Sequence, residues 1–396
     1  MKKLVFALTG ALVVAATQTC LAQSTGQTVN IVKIVELSGA GATSGTMFSN
    51  GTELAAKEIN AAGGILGRKI VFKTSDTQSN PGVAKGLAAK AADEDAYVVM
   101  GPGFSGSMIV SAGETRKAEI PNFTAAEASV ITQQGNPYVF RTSFAQANSM
   151  PKVARYVVDG LKAKSVAIVY ANTDFGKGGR DAILKELQKR NVKIAADVST
   201  EQGQIDFSSV VLKVKQSDAD VIFPYMTEEE SARFLREVRK QNVTKPIMGE
   251  TTIVEQKVID LAGPAANGVR GHVGLTTDAS NPAIRALSHK FEKEYGIKPN
   301  HNAIKGYIGV YTIKAVTEKV GKFDRKAFAA AMKNVHLSAK QHPGLLMDLT
   351  YDDKGDLDRE SFLVEVRDGK QVVIETLPPL NAGVGASVAA KAAVKK

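Results

Sequence analysis

From Thr28 onward, short runs rich in Val and Ile alternate with stretches of helical period, and no other feature narrows the possible folds so far. Residues 29–35, 69–75, 96–100, 165–170, 192–198 and 221–224 carry the β-branched runs. A strand joined to the next strand through a helix makes a parallel crossover, so the pattern predicts an α/β fold with helices on both faces of its sheets. Helix ends are marked as well. Asn80-Pro81 sets an N-cap and a first-turn Pro before a helix to about Glu94, and Ala61-Ala62-Gly63-Gly64 closes a helix that opens near Gly45. The pattern restarts near residue 145, which predicts a second α/β lobe. Residues 281–295, 302–320 and the stretch from Asp324 then read as helices. Residues 344–349, 361–367 and 371–376 read as strands, with turns at Asp353-Lys354-Gly355 and Asp368-Gly369-Lys370, so the chain closes in antiparallel β.

A chain of 396 residues exceeds the length at which single cores usually divide, about 250–300 residues, so two domains are expected. Met1-Lys2-Lys3, the apolar run 4–16 and the small residues before Gln23 have the layout of a signal peptide, residues 1–22, cleaved after Ala22. The run falls short of the roughly 20 apolar residues a membrane span needs, and no later stretch approaches that length. A soluble, periplasmic mature chain is expected. Lipidation of Cys20 would call for Leu three residues before it and Gly or Ala directly before it, where Thr17 and Thr19 stand. Cleavage leaves no cysteine, which removes disulfides and thiol chemistry. The formal charge is +10, but Lys2 and Lys3 leave with the leader, and Lys391, Lys395 and Lys396 lie in an Ala-, Gly- and Val-rich tail, 379–396, read as disordered. What remains is mild and scattered, and with no Trp it argues against nucleic acid.

The sharpest local pattern is Gly101-Pro102-Gly103-Phe104-Ser105-Gly106, between a predicted strand and a predicted helix, with Glu127 at the end of the next strand. Its spacing fits the G-x-G-x-x-G dinucleotide fingerprint. Against that stand its place after the third strand, Pro102 in the tight turn, and the export signal. The alternative is a loop whose N–H groups, with the Ser105 and Ser107 hydroxyls, meet a carboxylate at a helix N-terminus; Ser105 also reads as the helix cap. Residues 103–107 miss the G-x-S-x-G nucleophile elbow, since Ser stands fifth. His272, His289, His301, His336 and His342 show no metal-ligand spacing, and His289 and His301 read as solvated faces or loops. Residues 352–356 put Lys354 where a calcium loop needs oxygen. No catalytic set, metal or cofactor is therefore expected. Glu228-Glu229-Glu230 reads as the first turn of a helix, favoured by its dipole. Glu127 and Glu250 directly follow predicted strands, where α/β sheets place ligand sites, unless they are plain first-turn carboxylates.

Leu37-Ser38-Gly39, residues 56–67 (AKEINAAGGILG), 81–92, 101–107, 131–142 (ITQQGNPYVFRT), Asp174-Phe175-Gly176, Asp206-Phe207-Ser208 and 353–357 (DKGDL) carry a resemblance. Together they are similar to the leucine/isoleucine/valine-type (branched-chain amino acid) periplasmic substrate-binding proteins of ABC transporters, over nearly all of residues 28–378. The resemblance implies a type I periplasmic binding protein fold: two Rossmann-like lobes joined by three hinge crossovers, closing on a ligand. It puts the crossovers just after 140–142, near 268–273 and near 346–350. Lobe 1 would hold residues 28–142 plus 274–346, and lobe 2 residues 143–273 plus 347–378.

In similar proteins that bind amino acids, the loop matching 103–107 holds the ligand carboxylate through backbone N–H groups and a serine, here at Phe104, Ser105 and Gly106. The loop of Ala125, Ala126 and Glu127 supplies a carbonyl and usually a hydroxyl, which Glu127 replaces. The second lobe would add an aromatic, Phe175, a residue near Met226 or Thr227, and an acid for the ammonium at Glu250, unless Thr251 stands where the acid should be. Ser44 stands where the opening loop often offers an aromatic, and Gln78 and Phe104 replace the family's cysteines. A charged Glu127 4 Å from a carboxylate costs about 4 kcal/mol at an effective dielectric of 20. Either Glu127 turns to a ligand ammonium, or it points out of the cleft, or the ligand is more polar or cationic than leucine. The implied function is that of a monomeric binder, not an enzyme, delivering an amino acid or related small polar metabolite to the permease and ATPase subunits of an ABC importer. Binders of aromatic or other organic acids and ligand-sensing receptor modules are the alternatives.

Overall fold

The structure, a computed structural model, describes residues 28–380; the predicted leader with Cys20 and nearly all of the predicted tail lie outside the described residues. Strands β1 (Thr28–Val35), β2 (Lys69–Asp76), β3 (Val98–Met100), β4 (Asn122–Thr124) and β5 (Val139–Arg141) form one all-parallel sheet in the order β2-β1-β3-β4-β5. Helices α1 (Ala42–Ala61), α2 (Pro81–Asp93), α3 (Ser105–Lys117) and α4 (Val130–Gln133) connect them. Val29, Ile31, Val32, Ile34 and Val35 of β1 are all buried, so both faces of that strand are covered and its apolar residues do not simply alternate.

The pattern then repeats. Helices α5 (Gln146–Arg155), α6 (Asp174–Gln188), α7 (Ser208–Gln216), α8 (Glu228–Lys240) and α9 (Gln256–Ala262) interleave with β6 (Ser165–Ala171), β7 (Lys193–Thr200), β8 (Val221–Tyr225), β9 (Met248–Glu250) and β10 (Arg270–Val273). Strands β7-β6-β8 are parallel, and a bridge from Ile222 to Ile247 carries that sheet on toward β9 and β10.

Three helices, α10 (Pro282–Tyr295), α11 (His301–Val320) and α12 (Arg325–Met332), return to the first sheet. Glycine makes that return possible: a Cβ on Gly51 of α1 would lie 1.9 Å from the Ala303 carbonyl, and one on Gly306 of α11 would lie 2.2 Å from the Phe48 carbonyl. Asn281, Asn300 and Asp324 cap the three helices through their side chains, and Gly296 and Gly321 end α10 and α11 with φ of 70° and 75°. The chain closes in β11 (His336–Leu337), β12 (Leu349–Tyr351), β13 (Leu357–Asp358), β14 (Ser361–Arg367) and β15 (Lys370–Leu377). The last two pair as an antiparallel hairpin, and β14 adds antiparallel to β10.

Most expected strands and helices are observed within a residue or two, but the expected strand over 344–349 is not. A 3-10 turn spans Pro343–Leu345, Leu346 takes a left-handed φ of 65°, and β12 begins only at Leu349. Pro343 has no N–H for a ladder, and Gly344 packs its backbone where a Cβ would lie 2.1 Å from the Tyr311 ring. The segment around the 353–355 turn stays with the first sheet: Arg141 N–H donates to the Gly355 carbonyl and Tyr351 Oη to the Arg141 carbonyl.

Candidate functional site

In each parallel sheet the strand order reverses beside its first strand, and the groups that follow the C-terminal ends there are the usual ligand positions. A cavity of about 660 Å3, counting its open mouth, is bounded by such groups from both sheets. Val35 ends β1 and Glu36 follows it, residues 103–105 follow β3, and Ala125 and Glu127 follow β4. Opposite them Phe175 follows β6, Thr227 and Glu228 follow β8, and Thr252 follows β9, while α11 contributes His301 and Lys305.

Of the residues predicted from sequence, Ser44, Phe104, Ser105, Ala125, Glu127, Phe175 and Thr227 line this cavity. Glu250 and Thr251 instead line a smaller one, of about 210 Å3 with its open mouth counted in the same way, that shares Glu127, His301 and Lys305 with the first. Gly106, Ala126 and Met226 line neither. Met226 is core, at 1% exposure. Gly106 lets α3 approach α6, since a Cβ there would stand 2.8 Å from Asp174 Oδ2. Both acceptor directions of the Ala126 carbonyl are occupied, by Arg141 Nη1 at 2.6 Å and Ser143 Oγ at 3.2 Å. Arg141, fully buried, also reaches the Ala128 carbonyl and Asp356, and so fixes the loop after β4.

The glycine-serine turn differs most from expectation. Gly103 N–H donates to Glu36 Oε2 at 3.0 Å and Phe104 N–H to Glu36 Oε1 at 3.1 Å, so the chain's own carboxylate fills the seat that the resemblance reserves for the ligand's. Phe104, not Ser105, is the N-cap residue of α3, and Ser105 Oγ accepts from Ala128 N–H. Burial raises the Glu36 pKa, and the two N–H groups work against that rise.

Charge is concentrated here. Glu127 accepts from Lys305 Nζ at 2.9 Å and from Tyr225 Oη at 3.2 Å. Ser44 Oγ donates to Glu228 Oε1 at 2.6 Å. Glu228 and Glu255 are both buried, and burial pushes each carboxyl up to about 7, with the Glu255 charge adding to the rise of Glu228. His301 Nδ1 lies 3.1 Å from Glu255 Oε1, yet burial, aided by Lys305, takes its pKa down to about 3 and leaves it neutral. The large cavity is therefore lined by Glu36, Glu127 and Glu228 against one lysine. Its apolar wall comes from Phe48, Phe104 and Phe175, the last stacked on Tyr225 at 4.3 Å.

Sequence reasoning missed four of these groups. Glu228 reads as a surface first turn, but its helix starts at the cavity edge. His301 reads as solvated, but it and Lys305 stand one turn apart on a buried helix face. Glu36 follows β1 directly, so the strand-end criterion that singled out Glu127 and Glu250 would have found it as well. Among the described residues no cluster of three or more His, Cys, Asp or Glu side chains has the arrangement to hold a metal ion, and no helix is long and apolar enough to cross a membrane.

Comparison with known proteins agrees with the architecture. A family model described as periplasmic binding protein matches residues 28–371. A Leu/Ile/Val-binding protein homolog of Brucella melitensis is 28% identical over 81% of this chain and 85% of its own length. The Leu/Ile/Val-binding protein of Escherichia coli is 25% identical over 88% and 92%. Among solved structures, a leucine-binding protein from Thermotoga maritima superposes with a TM-score of 0.81 at 22% identity, covering 89% of this chain and 99% of that one. A solute-binding protein from Rhodopseudomonas palustris in complex with benzoate gives 0.81 at 23%, over 89% and 97%. With its two parallel sheets and the cavity between their strand ends, the chain belongs to the periplasmic binding protein family and has the type I fold.

Proposed function

We propose that this chain is an exported, periplasmic solute-binding protein that captures an amino acid or related small amine-bearing metabolite and presents it, without chemistry, to the permease and ATPase subunits of an ABC importer. The observation that carries this reading is the cavity itself, to which both sheets contribute polar groups and across which Tyr225 meets Glu127 and Ser44 meets Glu228. A ligand touching both sides favours the arrangement in which they are close, and that differential contact is what closure requires. Its lobes are residues 28–142 plus 274–358 and residues 143–273 plus 359–378, which changes one of the bounds expected from the resemblance, 346/347. The bonds of Tyr351 and Gly355 to Arg141 favour a third crossover between β13 and β14 over one at 346–350. The relatives' names support an amino acid, and the three carboxylates in the lining favour a ligand with an ammonium over one with only a carboxylate.

A thermal-shift screen of amino acids, small amides, amines and benzoate-like acids tests this. A true ligand at 100 times its Kd should add about 2.7 kcal/mol of stability. Stabilisation by aromatic acids alone would transfer the ligand to that class, and no response to any compound would remove the reading.

A further inference from the structure

The anion seat at the glycine-serine turn is occupied by Glu36, so a ligand carboxylate must be met elsewhere or not at all. One group near the cavity is both charged and unspent. Arg359, just past β13, is 1% exposed, and none of its Nε, Nη1 and Nη2 atoms finds a hydrogen-bond acceptor among the described residues. Its guanidinium lies over the Phe144 ring at 4.8 Å. A guanidinium carries five donors and no acceptor, and leaving such a group buried without partners is costly unless something supplies oxygens.

Arg359 lines the smaller cavity, which adjoins the larger one and shares Glu127, His301 and Lys305 with it as lining. The two carboxylates there have other partners: Glu127 is held by Lys305 and Tyr225, and Glu250 by Thr251 N–H, with His272 Nδ1 at 3.1 Å. Nearby, Lys152 Nζ donates to Ser361 Oγ and lies 4.9 Å from the same Phe144 ring, and Asp358 offsets some of the charge of both cations. The three connections between the sheets come together here. Phe144 follows β5, Gly274 follows β10 and Arg359 precedes β14, one residue from each connection between the sheets. Gly274 leaves the approach open, since a Cβ there would lie 2.8 Å from the Phe144 ring and 3.3 Å from Arg359 Nη2.

We propose that Arg359, rather than the glycine-serine turn, receives the carboxylate of the ligand. The inference rests on the binding function proposed above, and its test has an arm that does not depend on it. Formate, the smallest carboxylate, is titrated into the whole chain at low ionic strength and the melting temperature followed. The wild type should show a saturable rise. Arg359→Met should show none, and Arg359→Lys, which keeps the charge but loses the two-pronged fork, should need about tenfold more formate. Equal responses in wild type and Arg359→Met, or no response in the wild type, overturn the assignment. Should Arg359→Met not fold, the Arg359→Lys titration decides alone: an unchanged midpoint overturns the assignment.

In the second arm, any amino acid that stabilises the wild type is compared with its carboxamide. The wild type should prefer the acid by about tenfold or more, and Arg359→Met should lose that preference. A preference retained in Arg359→Met overturns the role of Arg359 and leaves the transport reading standing. A formate response that needs Arg359, with no amino acid binding at all, supports the anion site and sinks the amino-acid reading instead.

Discussion

Glu228 and Glu255 are buried carboxyls that influence one another, so they titrate as a pair. Each has its pKa raised from 4.5 to about 7 by burial, so the folded chain holds protons that the unfolded chain releases. Their contribution to stability is fully present below about pH 4.5 and is lost as pH rises through about 7. His272 and His301, lowered to about 3, act in the opposite sense: their contribution is present above pH 6.5 and lost as pH falls. Comparing variants cancels the histidines. Glu228→Gln should gain stability relative to wild type between pH 5 and 8, read from urea midpoints at both values, and a pH-independent difference would show that Glu228 is not held neutral by burial. Whether a carboxylate is spent or free depends on which distant residue stands beside it. Glu36 next to Gly103, or Lys305 next to Glu127, are pairs 67 and 178 residues apart, and so the strand-end positions were legible in the sequence while their partners were not.

At the scale of elements, local chemistry wrote most of the helices. Asn80, Asn281 and Asp324 cap where their sequences say they should, because a short side chain before a helical run satisfies the free N–H groups wherever the helix packs. Strand 344–349 was misread because the constraint on it is tertiary: Gly344 lies against Tyr311, and Leu346 is bent into the left-handed region. Packing of α1 on α11 also depends on glycine for a reason local pattern cannot show. Gly51→Ala should destabilise by about 1–3 kcal/mol through overpacking against the Ala303 carbonyl. Gly86→Ala, in an exposed position of α2 with nothing within 4 Å, should instead stabilise by about 0.5–1 kcal/mol. Denaturant unfolding of the two variants checks this, and shifts of the same sign would contradict the packing described for α1 and α11.

At its centre the molecule has two sets of parallel strands whose C-terminal ends share one cavity, tied across by Tyr225 to Glu127 and by Ser44 to Glu228. That the sheets come from separate stretches of chain was visible where the strand-helix pattern restarted near residue 145. The return of 282–332 to the first sheet came only with the family resemblance, since helices alone carry no address. Tyr225→Phe removes the bond that ties the strand ends of the two sheets together at Glu127. It should raise the Kd of the natural ligand about three- to tenfold, measured by calorimetry, and an unchanged Kd would show that this bond takes no part in closure. The most direct test of hinged capture is small-angle X-ray scattering of the whole chain with and without a saturating mixture of amino acids and small amines. A smaller radius of gyration with the mixture present is the predicted result. A scattering profile that the mixture leaves unchanged would contradict it.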